Sequence, residues 1–233
     1  MAYVRQQFPS ARVLRMDLDT TRQKDGHAKI LSAFGAGEAD VLIGTQMIVK
    51  GHDFPGVTLV GVLAADLSLH ANDYRAGEKT FQLLTQAAGR AGRGQERGEV
   101  VIQTYDPENY SIQAAAKQDY ESFYRQEMLF RQLAGYPPAS GMLAIHGACR
   151  DQKQLQLAMD YIGKLVRAMA KRAQAQVIGP ADENVAKVEV YRKILYIKHK
   201  NPKILTIIKG KVEEYTEMNE GFRQIQVQFD MYE

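Results

Sequence analysis

The sequence has 233 residues, 45% of them hydrophobic and 24% charged, with a formal net charge of +3. That is enough for one large or two small domains with real cores, in the composition range of soluble globular proteins. It excludes a helical membrane protein, since no stretch approaches the roughly 18 consecutive apolar residues a span needs.

No basic–apolar–small-residue leader opens the chain, which argues against export. A single cysteine, Cys149, excludes an internal disulfide and a cysteine-rich zinc site within these residues. It lies in an apolar run and reads as a small core residue. A cytoplasmic, reduced setting fits.

In chain order, residues 3–8 read as the end of a helix and residues 10–16 as a strand. An α/β domain rarely begins on the tail of a helix, so native sequence is expected before Met1. Residues 24–34 form an amphipathic helix with Ile30, Leu31 and Phe34 on one side. Short strands follow at 41–43 and 58–63, then a helix at 74–88 with Phe81, Leu84 and Ala88 at helical spacing, then a strand at 100–105. Strands alternating with helices predict a parallel sheet covered on both faces. Residues 106–131 read as helical and aromatic-rich, and Tyr136-Pro137-Pro138 stops the pattern. The first domain is therefore assigned to residues 1–139.

Residues 140–233 form a second, smaller domain. A strand at 142–148 precedes a long amphipathic helix, Gln152–Ala173, that carries Leu155, Met159, Ile162, Val166 and Met169. A strand at 176–178, a turn at Gly179-Pro180, a strand at Tyr191–His199, a helix at Pro202–Met218 and a last strand at 224–229 complete it. That βαββαβ order is the ferredoxin-like arrangement. The charge is uneven: residues 1–139 hold 15 Lys+Arg against 16 Asp+Glu, and residues 140–233 hold 15 against 11. Arg192, Lys193, Lys198, Lys200, Lys203, Lys209 and Lys211 gather around one strand and the following helix, interleaved with Tyr191 and Tyr196. Cations for phosphates with aromatics for bases suit a single strand of nucleic acid. The same pattern also describes a solvated face with half-buried tyrosines.

The sharpest local signal is Gln86-Ala87-Ala88-Gly89-Arg90-Ala91-Gly92-Arg93. Two arginines three apart sit at a helix end, among small residues that let another surface approach. A permanently charged, forked guanidinium suits a phosphate whose charge grows during transfer. The alternative is a glycine-terminated helix whose arginines complement the macrodipole. A dinucleotide fingerprint is excluded, because Gly89, Gly92 and Gly94 end a helix where that motif must open one. His27, His52, His70, His146 and His199 show no metal-ligand spacing.

The string Gln-x-x-Gly-Arg-x-Gly-Arg resembles motif VI of superfamily 2 helicases, and Ile43-Gly44-Thr45-Gln46-Met47-Ile48-Val49-Lys50-Gly51-His52-Asp53-Phe54-Pro55 resembles their motif V. Further segments resemble the replication-restart branch of that superfamily. They are Arg12 through Asp17 with Asp19-Thr20-Thr21, Thr80 through Gln86, Gln103-Thr104-Tyr105, Phe123 through Glu127, Tyr136-Pro137-Pro138, Ile178-Gly179-Pro180 and Tyr191-Arg192. The resemblance is dense over 11–139 and thin beyond 140, and Glu78-Lys79 departs from a family Glu-Arg.

The resemblance implies a RecA-like second helicase lobe, truncated at its start, followed by the ferredoxin-like domain. It implies that Thr45, Gln46 and Lys50 contact the nucleic-acid backbone and that Gly51 and Asp53 lie at the nucleotide, Asp53 at its ribose. Arg90 and Arg93 would reach the β and γ phosphates, with Gln86 in the same cleft. Arg192 and Lys193 would belong to a DNA surface. ATP with Mg2+ is implied, gripped mostly by a first lobe, because this chain has neither a phosphate loop nor an Asp-Glu-x-His box. Zinc is implied in the full-length protein but outside this chain. Forked and single-stranded DNA, single-stranded-DNA-binding protein and primosome proteins are the implied partners. The implied activity is a 3′-to-5′ DNA helicase that restarts stalled replication, with no ATPase expected from these residues alone. The other reading is a non-catalytic nucleic-acid- or protein-binding module derived from a helicase lobe.

Overall fold

The computed structural model describes residues 1–17, 20, 26–49, 54, 56–92, 98–183 and 189–233. They pack as two compact units, Met1–Gln126 and Glu127–Glu233. No helix among the described residues is long and apolar enough to cross a membrane.

The first unit runs α1 (Ala2–Gln7), β1 (Val13–Met16), α2 (Gly26–Gly35), β2 (Val41–Gly44), a 3-10 turn (Gln46–Val49), β3 (Leu59–Val62), α3 (Asp66–Leu69), α4 (Ala76–Ala88), β4 (Glu99–Ile102), α5 (Tyr110–Lys117) and the start of α6 (Tyr120–Ala134). β1 pairs with β2 in parallel, from Val13 opposite Val41 to Met16 opposite Gly44, and β3 pairs with β4 in parallel, from Leu59 opposite Glu99 to Val62 opposite Ile102. The alternation of strand and helix dictates the parallel sense, since a crossover returns each strand in the same direction.

One expectation changes. Among the described residues the strands form two separate two-stranded sheets rather than one sheet covered on both faces. The period of two turns Val62 and Ile102 toward the α4 cluster, so Leu59 and Val101 point the other way and are 61% and 53% exposed.

α4 is the organiser of this unit. Ala76, Thr80, Phe81, Leu84 and Ala87 recur at helical spacing and are buried. Phe81 stacks on Phe123 of α6 with ring centroids 4.3 Å apart. The fully buried Thr80 hydroxyl lies 2.8 Å from both Ala76 O and Ser68 Oγ, so this buried polar group has a partner. At the start of α3, the Asp66 carboxylate accepts from the Thr104 hydroxyl at 2.6 Å and from the Tyr105 and Asp106 N–H groups at 3.0 and 3.3 Å. The Thr104 bond above all holds that carboxyl below its ordinary range.

The second unit contains β5 (Gly141–Cys149), α7 (Gln152–Ala173), β6 (Gln176–Asp182), β7 (Tyr191–His199), α8 (Pro202–Met218) and β8 (Gln226–Tyr232). Its four strands lie in the order β6-β7-β5-β8, and every neighbouring pair is antiparallel. Asp151 caps α7 by accepting from Lys153 and Gln154 N–H, and Asn201 caps α8 by accepting from Lys203 N–H, with Pro202 in the first turn. Leu155, Met159, Ile162 and Val166 from α7 and Leu205, Ile208 and Val212 from α8 meet Leu143, Ile145, Leu195 and Ile197 of the sheet in one core.

Two details of this unit depart from the sequence reading. Gly179-Pro180 does not end a strand. It lies inside β6 at a register shift between Ile178 and Ala181, where a bulge re-aims the strand without breaking its pairing to β7. Residues 127–139 pack with the second unit rather than the first, where the Lys198 ammonium of β7 bonds Ala134 O and covers the Tyr136 ring, and Arg131 is buried. It donates to Glu127 at 2.7 Å and to Pro137 O at 3.0 Å.

Ile162 is completely buried in this core. Ile162→Ala is expected to cost about 2–5 kcal/mol through lost transfer energy and the cavity left behind, read as a fall in the urea midpoint at unchanged m-value. Before α4, partial burial alone would raise Asp73, but the Lys79 ammonium and the Arg75 N–H and guanidinium outweigh it and hold the carboxyl at about 2. Its contribution is complete above the unfolded value of roughly 4 and is lost as pH falls toward the folded value. Asp73→Asn should therefore flatten the acid limb of stability between those two values in urea melts recorded across them.

Candidate nucleotide and nucleic-acid interface

The segment that resembles motif V leaves the C-terminal end of β2, and a glycine is required at that point. A Cβ on Gly44 would lie 2.5 Å from Met16 O and 2.9 Å from Ile48 Cγ2. The missing side chain lets β2 close against β1 and turn at once into the 3-10 helix, where Ile48 N–H donates to Thr45 O at 3.2 Å. Thr45 and Gln46 are exposed at this strand end. C-terminal strand ends are where open α/β sheets present ligand-binding loops. At the far end of the segment, Phe54 meets Phe34 of α2 edge-on, with centroids 5.0 Å apart. Lys50, Gly51 and Asp53 lie outside the described residues.

The segment that resembles motif VI begins on α4. Gln86 is exposed on the face away from the core, and α4 ends at Ala88 with Gly89 as its cap. Arg90 is therefore in the turn beyond the helix rather than on its last face. It is half-buried, and its N–H donates to Ala87 O at 3.1 Å. Arg93 lies outside the described residues. The decisive contact is between the 3-10 turn and α4, which pack directly on one another. The element that carries the start of the first segment and the helix on which the second begins are thus neighbours. Among the described members, Thr45, Gln46, Gln86 and Arg90 bring donors and no carboxylate, a set whose chemistry fits a polyanion.

The second unit modifies the basic surface expected around β7. Arg192 is exposed, but Lys193 is 6% exposed and pairs with Asp182 at 2.7 Å. Lys193 shares the strand face of Leu195 and Ile197, so its stem is drawn over the core and its charge is neutralised locally. Lys198 is also buried. It donates to Ala134 O at 3.0 Å and lies 3.2 Å from the centroid of the Tyr136 ring, and burial lowers its pKa from the ordinary lysine value. Lys209 pairs with Glu213 and Lys211 with Glu214 along α8. Arg192, Lys200, Lys203 and Lys211 are the exposed cations of that cluster, Lys211 beside Glu214.

Sequence reasoning missed the buried Glu127–Arg131 pair, although its four-residue spacing on a helix was a usable signal. It also missed that His146 is bracketed, Nδ1 3.0 Å from Glu183 and Nε2 3.2 Å from Asp230. Those partners, one just past β6 and one on β8, are far away in sequence and have no sequence signature. Among the described residues no group of three or more His, Cys, Asp or Glu converges to hold a metal ion.

Residues 2–95 match the helicase conserved C-terminal domain. Over 225 residues, 96% of this chain, the sequence is 44% identical to the replication restart protein PriA of Bacillus subtilis (strain 168). The chain belongs to the PriA family. It is 39% identical over 204 residues to PriA of Synechocystis and 47% identical over 150 residues to PriA of Chlamydia trachomatis. These alignments cover 87% and 64% of this chain. The chain spans 28%, 24% and 20% of the length of those three relatives. The match to the Bacillus subtilis protein is long enough to enter both units, whereas the helicase match ends shortly after Arg93.

A desolvated ammonium over an aromatic face is worth about 2 kcal/mol. A double-mutant cycle of Lys198→Met and Tyr136→Leu should therefore give a coupling of about 1–2 kcal/mol in urea denaturation. Additive single effects would show that the ring and the ammonium do not interact.

Proposed function

We propose that this chain is the second-lobe and C-terminal portion of an ATP-dependent 3′-to-5′ DNA helicase that recognises stalled or abandoned replication forks and initiates primosome assembly. The observation that carries this reading is the packing of the 3-10 turn, within the motif V-like segment, against α4, the helix on which the motif VI-like segment begins. The fold proposed is a RecA-like lobe over 1–139 followed by a ferredoxin-like domain over 140–233. The strand order β6-β7-β5-β8 supports the second assignment.

ATP with Mg2+ supplies the phosphoanhydride whose cleavage drives such a motor, and a first lobe outside this chain holds most of it. In this reading Arg90 and Arg93 donate to the β and γ phosphates as charge develops on them, and Gln86 faces the same cleft. Gly51 and Asp53 lie at the nucleotide, Asp53 at its ribose. Thr45, Gln46 and Lys50 hold the DNA backbone through neutral donors and one cation, which position a strand without reading its sequence. Arg192, rather than Lys193, is the cation of β7 available to a phosphate, with Lys200 and Lys203 beside it. Single-stranded-DNA-binding protein and other primosome proteins are the proposed protein partners. The proposed setting is the cytoplasm, and the zinc of the full-length protein lies outside this chain.

The test is DNA-stimulated ATPase of the full-length protein with forked DNA. Arg90→Ala should lower kcat by about a hundredfold or more while the melting temperature stays near that of the parent. The 233-residue chain should not hydrolyse ATP by itself. A full-length Arg90→Ala protein with undiminished kcat would sink the motif VI assignment and favour a binding module without catalysis.

A further inference from the structure

Residues Gly92 and Gly98 flank the stretch that contains Arg93, and both are held by the same two-residue segment. Gly92 N–H donates to Val57 O at 3.0 Å, and Glu99 N–H donates to Thr58 O at 2.8 Å. Adjacent carbonyls at the entrance to β3 therefore grip the chain just before residue 93 and just after Gly98. The two gripped points also touch. A Cβ on Gly98 would lie 2.2 Å from Gly92 N, 2.3 Å from Ala91 C and 2.6 Å from Gly92 Cα. Every one of these atoms is backbone, so no flexible side chain can move aside.

The neighbouring glycines of this entrance are not crowded. A Cβ at Gly56 or Gly61, on either side of the same entrance, would meet nothing within 4 Å. The two glycines answer to different constraints. Gly92 has φ +73°, the left-handed region in which a side chain is strained, whereas Gly98 is excluded from carrying a side chain by space alone.

We propose that Gly98 is a positioning residue for ATP hydrolysis: by leaving room for the Gly92 backbone while Gly92 bonds Val57 and Glu99 bonds Thr58, it fixes the turn that carries Arg90. This rests on the helicase reading above. Arg90 lies two residues before Gly92. Relieving a contact of 2.2 Å requires the Gly92 backbone to shift by roughly an ångström. A misplacement of that size at a catalytic group costs about a hundredfold in rate.

The experiment uses the full-length protein with forked DNA and measures kcat, the KM for ATP and the melting temperature. Gly98→Ala should lower kcat by about ten- to a hundredfold, with KM and melting temperature close to those of the parent. Because it acts through Arg90, Gly98→Ala combined with Arg90→Ala should be no slower than Arg90→Ala alone, whereas a general structural defect multiplies with it. Gly92→Ala, which loads the other side of the neck, should show the same non-additivity. A parental kcat for Gly98→Ala, or multiplication with Arg90→Ala in both combinations, overturns the proposal. If Arg90→Ala itself has no effect, the helicase reading fails instead. Amide exchange of the unmutated protein serves if neither glycine variant folds: Gly92 and Glu99 N–H should be protected together, and exchange of Gly92 at a free-loop rate overturns the neck.

Discussion

Burial of one face of α4 is the constraint on which the first unit depends. Phe81, Leu84 and Ala87 occupy that face, and burying a Phe or Leu side chain contributes about 1.5–3 kcal/mol each. The same burial sets the exposed residues, since consecutive helical positions are about 100° apart. Gln86 must point outward if Ala87 and Leu84 point inward. The 3-10 turn from β2 packs against the same helix. Placement of the polar groups thus follows from apolar packing, with no attraction needed among the polar groups themselves.

Close backbone approach is the second ingredient. β2 can end against β1 only because Gly44 has no Cβ, and its immediate turn exposes Thr45 and Gln46 at the strand end. The contact of Gly98 with Gly92 does the same for the other segment. Both glycines lie at places where two pieces of main chain must meet at less than side-chain distance. A helix face can be repacked with other apolar side chains of similar volume, whereas a Cβ–backbone overlap leaves no such freedom.

Legibility in the sequence tracked the strength of local signals. The bounds Gln152–Ala173, Tyr191–His199 and Pro202–Met218 are found in the structure as read. The two helices are amphipathic and begin on side-chain caps, Asp151 and Asn201, with Pro202 in the first turn. Long-range features were not legible. Residues 194–197 run Ile-Leu-Tyr-Ile without alternation, so nothing local revealed that Lys193 shares the core face with Leu195 and Ile197. The packing of residues 127–139 depends on Arg131 reaching Pro137 O and Lys198 reaching Ala134 O, the latter a contact across 64 positions. The separation into two parallel pairs depends on which strands hydrogen-bond, which periodicity does not encode. For the candidate site, the motif strings identified the segments, but only the coordinates showed that Arg90 stands beyond the helix end.

The electrostatics of the second unit follow from the same distinction between composition and contact. Seven cations cluster around β7 and α8 in the sequence, yet Asp182, Glu213 and Glu214 neutralise three and Tyr136 covers a fourth. Arg192, Lys200, Lys203 and Lys211 stay exposed, Lys211 beside Glu214. Lys198 makes the point most clearly, because an ammonium with no carboxylate partner among the described residues is costly to bury and is kept here by a ring face and one carbonyl. Its position is explained by cohesion of the unit rather than by a ligand. The local pairing of charge therefore converts what reads as a nucleic-acid stripe into a structural seam with a small exposed remainder.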